Sequence, residues 1–235
     1  MLGWFQSPGG PTLSELLLQS LCSLEGGYDR LAGKFDASVF RTPDPIVQAL
    51  RAQIPECQRA LDVGCGTGAV LEQFQGRVQQ RVGLDLSRNM LARARHNLGP
   101  EVELWQGDFL KTHWENHFDL ITSVGVLGHI PPEKQAEFFH QVARALRPGG
   151  CFLTVLSSLR GRPLVYLAAL AFDTAMRVRN LVWRPRFVMY YLSCTLPGAL
   201  QVMRAAGLEP EVHPGHFPPP YSQLQIVKAF RPQNA

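Results

Sequence analysis

The chain has 235 residues, 46% hydrophobic and 18% charged, with a formal net charge of +4. That length and balance fit one globular domain with an appendage, and no run reaches the ~18 apolar residues of a membrane span. Five cysteines, at 22, 57, 65, 151 and 194, form no CxxC pair. They support neither a disulfide framework nor a zinc site, and they fit a reducing, cytoplasmic setting. Met1 to Gly10 has no Lys or Arg ahead of an apolar core, unlike a signal peptide. The charge is uneven: residues 157–195 hold six arginines (160, 162, 177, 179, 184, 186) against Asp173. That segment is +5 and the remainder −1, which excludes a general nucleic-acid surface and marks a local feature.

Thr12-Leu-Ser-Glu15 reads as a capping box that opens a helix to about Leu24, with Leu13, Leu16, Leu17, Leu21 and Leu24 as its apolar face and Gly26-Gly27 as its stop. A short helix over Tyr28–Phe35 and another over 45–53 follow. From Arg59 strand and helix alternate. Strands are predicted at 59–63, 81–85, 101–106, 118–124, 150–156, 208–213 and 223–230, and helices at 67–75, 87–97, 132–146 and 196–206. Ser87 is the expected N-cap and Gly207 the expected stop of the helices beside them. This alternation predicts an α/β, Rossmann-like, doubly wound seven-stranded sheet. The sheet is mostly parallel with an antiparallel last strand. Residues 1–54 are expected as an N-terminal helical cap and 55–235 as the core, with 157–195 inserted as a helical lid.

Ala60-Leu-Asp-Val-Gly-Cys-Gly-Thr-Gly68 is a buried strand that runs into a loop with glycine at every second position. Backbone without a Cβ lets a ligand approach closely, and a helix N-terminus presents unpaired N–H groups. The loop therefore reads as a nucleoside-cofactor site. Asp85, closing the second strand, is placed to accept from ribose hydroxyls, a device shared with NAD enzymes. The lack of a following Gly-Lys-Ser/Thr excludes a P-loop. Ligands of such sheets bind at the carboxyl ends of the strands. The glycine loop, the loop after Asp85, the insertion 157–195 and the proline-rich loop 214–222 all emerge there.

Five motifs in order resemble the class I S-adenosylmethionine-dependent methyltransferases: Leu61-Asp-Val-Gly-Cys-Gly-Thr-Gly68, Gly83-Leu-Asp-Leu-Ser87, Gly107-Asp-Phe109, Phe118-Asp-Leu-Ile121 with Leu127-Gly-His-Ile130, and Leu146-Arg-Pro-Gly-Gly150. The resemblance implies S-adenosylmethionine as cofactor. It assigns Gly64, Cys65 and Gly66 to the methionine moiety through their backbone, and Asp85 to the ribose. Leu86 and Met90 would line the adenine, Asp108 would accept from its amino group and Phe109 would lie beside the ring. Ser123 would line the sulfonium region. Tyr28-Asp-Arg-Leu-Ala-Gly-Lys-Phe-Asp36 is similar to the Tyr-Asp…Tyr-Asp segment that closes over the cofactor, with Phe35 in the second aromatic position and Tyr28 keeping its hydroxyl. Asp62 reads as an orienting residue or a direct ligand.

His129 follows the fourth strand, where it could act as a general base on an acceptor. His213 and His216 lack the partners of a metal site. The implied reaction is methyl transfer to a small hydrophobic acceptor such as a lipid, quinone or polyketide-like metabolite. An NAD-dependent oxidoreductase and a non-catalytic relative are the alternatives. Leu164 to Phe172 is almost wholly apolar, and a helix hydrophobic all round is buried or meets a partner or lipid. Segment 160–190 is thus expected as a substrate lid, with peripheral membrane contact or a homodimer interface as the other readings of a monomer or homodimer.

Overall fold

The computed structural model describes residues 8–159 and 161–233. Met1–Ser7, Arg160, Asn234 and Ala235 lie outside them, and with them part of the signal-peptide reading and of the basic segment. A seven-stranded sheet runs β3-β2-β1-β4-β5-β7-β6. Its strands are β1 (Cys57–Val63), β2 (Val78–Asp85), β3 (Glu103–Gln106), β4 (Phe118–Thr122), β5 (Leu146–Ser157), β6 (Glu209–His213) and β7 (Leu224–Phe230). The first five pair in parallel, and β7 lies antiparallel between β5 and β6. The order reverses between β1 and β4, so a crevice opens at their carboxyl ends.

Strand alternation feeds two cores. Leu61 and Val63 point to one, with Phe138, Phe139 and Val142 of α5 (Gln135–Ala145) and Met203 of α7 (Leu196–Ala205). Ala60 points to the other, with Leu50 of α3 (Asp44–Arg51), Leu71, Phe74 and Leu91 of α4 (Arg88–Leu98). Spacings of three and four put Phe138, Val142 and Ala145 on one stripe of α5, which turns that stripe to the sheet. Emptying such a position, Phe138→Ala, costs about 3–5 kcal/mol by cavity formation.

Local expectations are corrected in two places. The first helix, α1, ends at Leu21 (Leu13–Leu21), and the one expected over Tyr28–Phe35 is α2 (Leu24–Leu31) continued by a 3-10 turn over Ala32–Ala37, so Gly26-Gly27 lie inside it. The break falls at Cys22, because the Ser23 side chain accepts from Gly26 N–H and caps a new helix. Gly27 is kept there by space, since a Cβ would lie 2.8 Å from the Phe187 ring and 2.9 Å from the Gln19 carbonyl. After the glycine loop there is no α-helix over 67–75, only a 3-10 turn over Leu71–Phe74. Gly68 at φ +96 and the Gly76 turn leave too few residues for a longer one. Ser87 does cap α4, its hydroxyl accepting from Met90 N–H at 3.1 Å.

Helix α6 (Pro163–Val182) lies outside both cores and buries only Asp173, Met176 and Asn180. Asp173 accepts from Tyr191 and Leu192 N–H at 2.7 and 2.9 Å. Asn180 donates to the Phe187 carbonyl and the Tyr190 hydroxyl and accepts from Phe187 N–H. These bonds fold residues 186–192 back along the helix as a strap. No described helix is long and apolar enough to cross a membrane.

Candidate active site

A cavity of about 390 Å³ sits at the carboxyl ends of β1, β2 and β4. Its floor is the glycine loop. Gly64 and Gly66 take φ of +70° and +53°, a region that side chains with a Cβ rarely adopt. A Cβ on Gly64 would collide with Val126 Cγ2, whereas one on Gly66 would project into open space, 3.9 Å from Phe35. Glycine at 64 thus lets two loops meet, and glycine at 66 leaves room for a ligand. Cys65 is buried, and burial raises its thiol well above the ordinary pKa, so it stays protonated and offers only its backbone.

Asp85 closes β2 and lines the cavity. One carboxylate oxygen accepts from Gly66 N–H and the other from Ser87 N–H, both at 2.8 Å. Burial raises its pKa, opposed by those two bonds. A carboxylate oxygen has two lone-pair sites, so each keeps one for a hydroxyl, the geometry a vicinal diol needs. Asp108 accepts from Leu110 N–H with one oxygen and keeps the other. Leu86, Met90 and Phe109 complete an apolar slot beside it, Phe109 braced against Phe138 at 5.3 Å between ring centres. A flat slot between two carboxylates and a cradle without Cβ atoms fits an adenosyl group.

The other wall is aromatic. Tyr28 Oη lies 2.8 Å from His129 Nε2, and His129 Nδ1 lies 2.7 Å from the Val188 carbonyl. A carbonyl only accepts, so Nδ1 carries the proton. Burial lowers the imidazole pKa, so the ring is neutral and Nε2 is left as the acceptor for the tyrosine hydroxyl. Burial pushes the Tyr28 pKa up, which keeps that hydroxyl protonated. The strap also docks through Tyr190 N–H on the Gly128 carbonyl at 2.8 Å, and Phe187 stacks on Tyr28 at 6.3 Å.

The structure brings Tyr28, Gly64, Cys65, Gly66, Asp85, Leu86, Met90, Asp108, Phe109 and His129 to one cavity. Ser123 is not on the wall. It is fully buried beneath it, with its carbonyl taken by Thr154, and Val124, Gly125 and Val126 stand in its expected place. The loop 214–222 is also absent from the wall, since Phe217 anchors it in the core with Ile46 and Leu50. Among lid residues Arg186 and Val188 reach the cavity, and no residue of α6 does. The described residues hold no group of three or more His, Cys, Asp or Glu that could hold a metal ion.

Sequence reading missed how the cap is tied down. Asp29 accepts from the Ser87 hydroxyl and, at 3.0 Å, from Asn89 N–H, at the start of α4. Asp36 accepts from the Thr67 hydroxyl at 2.6 Å. The seven-residue repeat Tyr28-Asp29…Phe35-Asp36 was the available signal: two helical turns carry both acids to loops that hold the cavity floor. Asp62 is buried under the loop, bonded by Thr122 at 2.6 Å, and burial lifts its pKa to about 7.

The fold and the diol- and adenine-sized slot define an enzyme of nucleoside-cofactor type. The methyltransferase-domain profile matches residues 60–150. The ubiquinone biosynthesis O-methyltransferase of Hydrogenovibrio crunogenus is 32% identical over 184 residues, 75% of this chain and 73% of that protein. The protein of the same name from Alkalilimnicola ehrlichii is 32% identical over 163 residues, 61% of this chain and 64% of that one. The second match spans a little under two thirds of the relative's length. An S-adenosylmethionine-dependent methyltransferase from Mesorhizobium loti superposes with a TM-score of 0.60 at 25% identity, over 78% of this chain and 96% of that structure. The chain belongs to the class I S-adenosylmethionine-dependent methyltransferase family.

Proposed function

We propose that this protein transfers a methyl group from S-adenosylmethionine to a hydroxyl of a small hydrophobic acceptor, with His129 as general base. One observation carries the reading. A single cavity runs from the Gly64–Gly66 cradle, Asp85 and Asp108 to the Tyr28–His129 pair. The cofactor would supply a methyl carbon on a sulfonium, whose leaving sulfur departs neutral. Asp85 holds the ribose, Asp108 the adenine amino group and the loop amides the methionine end. Alignment and exclusion of water then supply most of the rate.

When the acceptor oxygen takes up the methyl group, His129 Nε2 would receive the hydroxyl proton and become an imidazolium. The proton on Nδ1 stays with the Val188 carbonyl, so the ring cannot rotate away from its task. For the acceptor to reach Nε2, its hydroxyl displaces that of Tyr28 or passes its proton through it. Val126, Ile130, Phe40 and Val188 make this end apolar, which suits a quinone- or lipid-like molecule. The two ubiquinone-pathway relatives point to the same class. Helices α1–α3 act as the cap over the donor, and the strap of residues 186–192 as the acceptor lid.

Calorimetry with S-adenosylhomocysteine and with NAD tests the donor half: binding of the first alone is expected, and binding of NAD alone overturns it. Labelled S-adenosylmethionine with a cell extract, followed by identification of the labelled product, tests the acceptor half. A labelled hydrophilic amine would refute it.

A further inference from the structure

We propose that α6 is a membrane-surface anchor, lying in the plane of an anionic lipid surface with its outer face in the apolar layer. The helix is tied to the protein by one stripe, Asp173, Met176 and Asn180. On the opposite side Leu164, Leu167, Ala171, Ala175, Val178 and Val182 follow one another at steps of three and four, all exposed. Such spacing is one continuous helical stripe, about 27 Å long at ~1.5 Å per residue. Leu164 is 80% exposed, Leu167 57%, Val178 55%, Leu181 78% and Val182 80%. A soluble surface does not leave so long an apolar stripe uncovered without a partner.

The charge pattern selects the partner. Arg177 lies over the Tyr190 ring and Arg179 donates to the Cys22 and Pro185 carbonyls and to Asn180, so the cations free to meet a partner are exposed Arg184 and Arg186 at the helix end. Asp173, the only acid between 161 and 195, is turned inward and spent on the Tyr191 and Leu192 amides. The outward charge is therefore wholly positive. Arg184 and Arg186, at the end of the apolar stripe, can bury their stems while their guanidinium groups meet lipid phosphates. A second copy of this face would set arginine against arginine. The described helices include none able to cross a membrane, so the helix rests on the surface rather than spanning it. The strap that α6 holds reaches the cavity through Val188 and Arg186, so docking would set the acceptor end of the site beside the lipid. The anchoring itself does not depend on the acceptor reading.

The test is co-sedimentation of the full chain with vesicles of phosphatidylcholine alone and of phosphatidylcholine mixed with phosphatidylglycerol. Binding to the mixed vesicles, weakened by salt, is expected. Leu167→Glu/Val178→Glu should lower the partition coefficient more than about tenfold while S-adenosylhomocysteine affinity and thermal midpoint stay unchanged. Arg184→Glu should lower it severalfold. Ala171→Glu, on the same stripe, gives the same readout if the double variant does not fold. The proposal is overturned if mixed vesicles bind no better than phosphatidylcholine, if the stripe variants sediment like wild type, or if wild type is a dimer that these variants split without any vesicle binding.

Discussion

The two ends of the cavity are built from different materials. The proposed donor end is made of backbone and the side chains that backbone amides hold: glycine turns, strand ends and the Asp85 and Asp108 carboxylates, all within residues 62–109. The acceptor end is made of side chains from distant segments, with Tyr28 on His129, His129 on Val188, and Val188 held in a strap that Asn180 and Asp173 fasten. The glycine loop is held by backbone hydrogen bonds, Gly64 and Cys65 N–H on the Leu84 carbonyl and Gly66 N–H on Asp85. Side-chain sites are as rigid as the bonds behind them. Damage at the donor end should therefore appear as lost affinity, and damage at the acceptor end as lost turnover.

The largest effect is expected at Gly64. Gly64→Val meets Val126 and a positive φ together, and should cost more than ~3 kcal/mol of S-adenosylhomocysteine affinity, over a hundredfold by calorimetry. Affinity within a few fold of wild type would show that the loop is not the donor cradle. His129→Ala should cut kcat about a hundredfold while leaving that affinity within threefold, the signature of a proton acceptor. Turnover that survives the change would leave Nε2 no role as base. Asp85→Ala should weaken donor binding roughly thirtyfold, since ribose hydroxyls lose an ionic acceptor. Unchanged affinity would reject that assignment.

This division also explains what could be read from sequence. Leu61 to Gly68, Gly83 to Asp85 and Gly107 to Phe109 are short contiguous strings whose chemistry follows from their order, and they supply six of the ten candidate residues that reach the cavity. Ser123, just past the end of β4, is fully buried, and the next three residues, Val124 to Val126, line the cavity in its expected place. The Val188 carbonyl carries no residue signature at all. Asn180 and Asp173 belong to no motif, and only the folded strap reveals them as its fasteners. The apolar run of α6 suggested a pocket cover, but tertiary contacts turned it away from the cavity.

Asn180 tests the strap with a smaller effect. Its carboxamide makes four hydrogen bonds in a buried setting. Asn180→Ala leaves the Phe187 amide and carbonyl without partners and should lower stability by about 2 kcal/mol. Freed from its backbone anchor, His129 loses its fixed tautomer, so kcat should fall and the pH profile broaden with donor affinity intact. A parallel fall in donor affinity would mean that the two ends are one mechanical unit.

The smallest effect belongs to Asp62, which lies beneath the donor loop yet behaves like a side-chain site. Its carboxyl is buried with a folded pKa of about 7, against ~3.9 when unfolded. Between these values the folded protein holds a proton that the unfolded chain has released. Stability from this group is therefore full below pH ~4, falls as pH rises through the window, and is lost above about 7. Asp62→Asn keeps an oxygen for the Thr122 hydroxyl and removes the titration. Thermal melts of variant and wild type should diverge from pH 5 to pH 8 in favour of the variant, by on the order of 1 kcal/mol once relaxation around the charge is allowed for. Parallel curves would mean that the carboxylate is already ionised at neutral pH, its burial offset by the hydrogen bond from the Thr122 hydroxyl.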